Sequence, residues 1–99
     1  MREVTVKIRL KQEEEEKEII IEALLDSDVT ELVMSLEFAR KNKFEMRRLE
    51  RPIYMRNVDE TFKYKGHTVE VELFFKGYKE RTLINVIGGQ KWSVILVIL

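Results

Sequence analysis

Apolar and polar residues alternate at the start of the chain, with Val4, Val6, Ile8 and Leu10 set against Thr5, Lys7 and Arg9. A period of two puts each set on its own side of an extended backbone, which predicts a half-buried strand with one wet face. Lys11 to Lys17 breaks the alternation with consecutive glutamates at 13–16 and predicts a solvated hairpin connection. Side-by-side glutamates lack the spacing and the glycine of a calcium loop. Ile19 to Leu25 is an Ile-rich apolar run interrupted only by Glu22, and it predicts a buried second strand. Val29 to Val33 is β-branched enough for a short strand. Ser35 can cap a helix running to about Asn42, with Leu36 and Ala39 inward, Phe38 beside them and Asn42 as a left-handed cap.

Met46 to Glu50 reads as extended, and Pro52 biases Arg51 away from helix. Ile53–Arg56 and Thr61–Tyr64 flank the polar stretch Asn57-Val58-Asp59-Glu60, which predicts a hairpin with a polar tip. Gly66 interrupts the chain again. Val69, Val71, Leu73 and Phe75 alternate with Glu70, Glu72 and Phe74 as a long strand. Lys76-Gly77-Tyr78-Lys79 turns it into a further strand over Thr82 to Ile87. After the loop Gly88 to Lys91, Trp92 to Leu99 ends in six consecutive apolar residues. An exposed strand that apolar would recruit another chain, so it is either central in a sheet or a dimer interface. About seven strands and one short helix make the class mostly β, in a single domain over 1–99.

Composition narrows the function classes. The formal charge is zero, which removes the electrostatic footprint of a nucleic-acid binder and leaves self-association open. With no cysteine there is neither a disulfide framework nor thiolate chemistry. No leader is expected at Met1, since Arg2 and Glu3 run straight into the first strand. No apolar run reaches the roughly 18–20 residues of a membrane span. An intracellular, cytoplasmic protein is the default expectation. His67 is the sole histidine and reads as a surface or turn residue. Trp92, Phe74, Phe75 and Tyr78 read as core and interface, and Arg47, Arg48 and Arg51 as solvated partners of Glu45 and Glu50.

The stretch with chemical content is Leu24-Leu25-Asp26-Ser27-Asp28-Val29-Thr30. A carboxylate delivered by a buried strand is costly unless it has partners or a task. A short strand, a helix, a polar-tipped hairpin and two more strands follow, leading to Val94-Ile95-Leu96. In this order of elements the chain resembles the retropepsin-like aspartic proteases of gypsy-type, fungal retrotransposon polyproteins. Glu37 to Phe44, Arg56 to Asp59 and Val86 to Trp92 carry the likeness, which covers nearly the whole chain.

The resemblance implies a retropepsin-like closed β-barrel with one short helix, working as a homodimer. Each protomer would supply one catalytic aspartate, Asp26, with Ser27 bracing its loop across the dimer axis. Two carboxylates about 3 Å apart cannot both ionise, so they would share a proton. One would act as base on a water attacking a peptide carbonyl, while the other bonds the carbonyl oxygen. Asn57, Val58, Asp59 and Glu60 would form a flap over the peptide substrate, beside Asp28. Protomers would meet through the active-site loop and the apolar C-terminal strand. No cofactor, metal, nucleic acid or membrane enters this scheme.

Three departures stand against the family pattern. Asp28 replaces the glycine of the Asp-Ser/Thr-Gly motif, where a side chain blocks close backbone approach and adds two further carboxylates to a dimer. Glu60 stands where the flap carries a glycine. Val97 follows Ile95-Leu96 where the family has a glycine and then a helix. The pattern fits a redesigned or decayed sequence, so an inactive dimeric scaffold or binding module on the same fold is the main alternative. A remote alternative is a magnesium-dependent phosphatase, with Asp26 as nucleophile and Asp28 as acid/base. That chemistry belongs to a fold of alternating strands and helices around a parallel sheet.

Overall fold

The alternation at the start of the chain closes into a hairpin. Strand β1 (Val4–Lys11) pairs antiparallel with β2 (Glu18–Asp26), in a register from Val4 opposite Leu25 to Lys11 opposite Glu18. Ile8, Leu10 and Ala23 are fully buried. The computed structural model describes residues 3–12, 15–26, 31–56 and 61–97, so the glutamate connection is only partly in view.

Strand β3 (Val33–Ser35) follows, beginning where the expected Val29 to Val33 strand ends; 29 and 30 lie outside the described residues. Its approach is held by buried Asn85, whose backbone N–H and side-chain amide both donate to the Leu32 carbonyl, at 3.0 and 3.2 Å. Helix α1 (Leu36–Lys41) starts as expected, with the Ser35 hydroxyl accepting from the Phe38 N–H at 3.0 Å. Its end differs. Asn42 keeps a φ of −97°, and Lys43 takes the left-handed conformation at φ 57°. The Lys43 N–H donates to Arg40 O and the Phe44 N–H to Ala39 O, which closes the last turn. Phe44 then packs back on Phe38, with ring centroids 5.9 Å apart. Placing Phe44 under the helix requires the chain to reverse one residue after Asn42, so the lysine carries the strain.

Strand β4 is two residues (Arg47–Arg48), shorter than the extended 46–50 segment read from the sequence. Its Arg47 reaches Glu70 at 4.0 Å rather than the neighbouring glutamates. Strands β5 (Ile53–Arg56) and β6 (Thr61–Tyr64) form a two-stranded sheet of their own. Strands β7 (His67–Phe75) and β8 (Tyr78–Ile87) make the longest hairpin. Its loop is only Lys76 and Gly77, both at positive φ, which is the geometry two-residue hairpins use. Tyr78 therefore begins a strand and is exposed rather than core.

Strand β9 (Val94–Val97) decides the architecture. It lies between β2 and β3, parallel to β2 and antiparallel to β3. β3 runs parallel to β8, β8 pairs with β7, and β7 returns to β1. Six strands thus close into a barrel in the order β1-β2-β9-β3-β8-β7, with β4 added outside β7. Of the two fates open to the apolar C-terminal run, the central one holds over 94–97. Val94 faces the barrel interior and Ile95 a second apolar cluster, so both faces of β9 are covered.

The fold is mostly β, a closed barrel with one short helix among the described residues. It lacks the layered helix-and-parallel-sheet architecture of the phosphatase alternative. No helix among the described residues is long and apolar enough to cross a membrane.

Candidate functional site

Asp26 is the last residue of β2, half-buried and in register with Val97 of β9. Side chains alternate along β2. Ala23 points into the barrel with Ile19 and Ile21 packed nearby, while Leu24 belongs to the second cluster on the other side. Two residues on, Asp26 shares the face of Leu24. The same parity along β9 puts Val97 on the face of Ile95.

The base of the separate hairpin, Ile53 and Tyr64, packs on that face. Val33 and Ile95 are buried there, and Leu24, Ile53, Tyr64, Ile87 and Trp92 pack against them. The hairpin base is pinned by Tyr64, whose hydroxyl accepts from the His67 N–H at 3.0 Å and donates to the Val86 carbonyl. Gly66 makes this possible, because its missing side chain leaves the space that the Tyr64 ring fills. The Leu49 N–H donates to the Gly66 carbonyl at 2.8 Å and fixes the strand leading into the hairpin. On the other flank, the Trp92 indole N–H donates to Glu3 at 3.0 Å and ties the loop before β9 to the start of β1.

Of the residues singled out in the sequence, Asp26 lies on the face of Leu24. Ser27, Asp28, Asn57, Val58, Asp59 and Glu60 lie outside the described residues. Sequence reading missed Tyr64, Gly66 and the Glu3–Trp92 link. The first two carried a usable signal: a tyrosine two residues before a glycine can lay its ring over the glycine. The last had none, because its partners are 89 positions apart.

His67 is exposed at the start of β7, as expected of a surface histidine. Among the described residues, no group of three or more His, Cys, Asp or Glu is placed to hold a metal ion. Comparisons with protein-family models, with curated proteins and with solved structures return no match to this chain.

Proposed function

We propose that this chain is a retropepsin-like aspartic endopeptidase domain that works as a homodimer, with Asp26 as the catalytic carboxylate of each protomer. The observation that carries the reading is the position of Asp26. It ends a barrel strand on the face against which the base of a separately paired hairpin packs. A carboxylate on the face that also carries a separately paired hairpin is suited to chemistry on an extended chain bound between the two.

The described part of β9 supports the two-fold arrangement. The ladder to β3 stops at Ile95, while Leu96 and Val97 continue beside Leu25 and Asp26. A second protomer meeting that end would bring its own Asp26 to the first. The paired carboxylates would share one proton, one activating water and the other bonding the substrate carbonyl.

One sequence feature favours a second reading, an inactive dimer on the same scaffold. Asp28 and Glu60 stand where the resemblance calls for glycine. Incubation with a mixed peptide library near pH 4–6, alongside a sedimentation mass, separates the two. The protease reading expects a dimer whose cleavage disappears in Asp26→Asn and rises in Asp28→Gly. A dimer whose peptide turnover is nil in both the parent and Asp28→Gly leaves the inactive scaffold. A monomer under all conditions ends both readings.

A further inference from the structure

Strand β1 outruns its neighbour. Its ladder to β7 ends at Arg9 opposite Phe74, because β7 turns into β8 at Lys76 and Gly77. From Val4 to Lys7, β1 is paired with β2 on one edge, and no described strand pairs with the other. Alternate residues of such an edge point backbone N–H and C=O groups outward, ready for another strand.

A groove runs along this open edge. Val6 and Phe75 form its floor, where the barrel interior comes to the surface, and Phe74 and Ile20 extend it over β1. Ile20 is 62% exposed, although the apolar run around it predicts burial. The outer face of β2 is covered only at its Leu24 end, so Ile20 is left in the groove. The rim is cationic. Lys7, Arg9 and Lys76 line it, and among the described residues no carboxylate does, although Glu18 pairs with Arg9 and Glu22 stands opposite Lys7 in the β1–β2 ladder. Arg9 lies over the Phe74 ring at 4.8 Å and also meets Glu18 at 2.8 Å. Lys76 sits 5.5 Å from the Phe75 ring, and neither it nor Lys7 makes an ion pair within the described residues.

We infer that this edge is a docking site for an extended peptide of alternating acidic and apolar residues, added as a strand beside Val4 to Lys7. Apolar side chains of such a peptide would fall on Val6 and Phe75, and its carboxylates would face Lys7 and Lys76. Charge selects this occupant over a second copy of the chain. Edge-to-edge pairing of two copies would bring the cationic rims together, and like charges across a ladder are destabilising.

The test uses the whole chain and a soluble Glu-Val-Glu-Val-Glu peptide flanked by Gly and Ser, followed by anisotropy and amide chemical shifts. Saturable binding is expected, with shifts concentrated at residues 4–9 and 74–76. The double variant Lys7→Glu/Lys76→Glu should weaken binding on the order of tenfold or more. N-methylation of alternate peptide amides should weaken it by a similar factor, because strand addition needs those donors. Equal binding of polyglutamate or of the N-methylated peptide would overturn strand addition in favour of simple charge attraction. Shifts elsewhere, absence of binding, or self-association mapped to the same edge would overturn the site. Asp26→Asn should leave the affinity unchanged, so this outcome is independent of the proteolytic reading.

Discussion

The barrel interior and the Asp26 face are both apolar, but they are held by different means. Inside the barrel, Ile8, Leu10, Met34, Val69, Val71, Ile84 and Val94 come from five of the six strands, β2 adding Ala23, and all are almost wholly buried. Each of those strands is also laddered to a neighbour on both sides over at least part of its length. On the Asp26 face only Val33 and Ile95 are buried, and their cover is a hairpin with no ladder to the barrel among the described residues. Side-chain packing and one tyrosine hydroxyl hold it down. The closed ring should therefore carry most of the stability, and the hairpin should be able to open locally without unfolding it.

The largest expected contrast comes from truncation. Leu10→Ala in the interior should cost about 2–5 kcal/mol, read as a shift of the urea midpoint. Ile53→Ala under the hairpin should cost about 1 kcal/mol, since its side chain is only half-buried. Equal losses would show that the hairpin is part of the cooperative core. Gly66→Ala comes next, at about 1–3 kcal/mol, because the new methyl group meets the Tyr64 ring. Amide exchange should localise that damage to 53–56 and 61–64, with β7 and β8 keeping their protection.

These two regions also differ in how far they could be read from the chain. Strict alternation in Val6–Leu10 and Val69–Leu73 announced the inward-facing residues of β1 and β7, although Val4, which continues the first pattern, is 51% exposed. Closure was expected from the resemblance, and the barrel bears it out. The hydrophobic pattern alone did not show it, because it depends on β9 entering between β2 and β3, and a continuous apolar run has no parity to say which edge it fills. The start of α1 was legible from Ser35, whereas its end was displaced to Lys43 by the demands of packing Phe44. For the site, Asp26 stood out as a carboxylate ending an apolar strand. The face it shares with Leu24, and the hairpin packing on that face, depend on a register that only the assembled sheet sets.

Smaller effects sharpen the contrast at the surface. Lys43→Gly should raise stability by about 1 kcal/mol, by relieving the left-handed strain beyond α1. Acid should act on the barrel through two carboxylates. Hydrogen bonds from its own N–H, the Ser35 hydroxyl and the Gly89 N–H hold Glu37 below the ordinary carboxylate range. A hydrogen bond from Lys79, at 3.0 Å, does the same for Glu72, helped by the charges of Lys79, Lys11 and Arg81. A lowered folded-state value means that stability is present above the unfolded value and is lost as pH falls through the folded one. Thermal midpoints should therefore drop below about pH 4, and Glu37→Gln/Glu72→Gln should flatten that drop.

The most direct measurement is the separation of the two Asp26 carboxylates in an experimental structure of the assembled protein at weakly acidic pH. The account predicts hydrogen-bonding distance across a two-fold axis, about 3 Å, with a proton shared between them. A solitary protomer, or a dimer joined through another face with the two Asp26 side chains far apart, would contradict it.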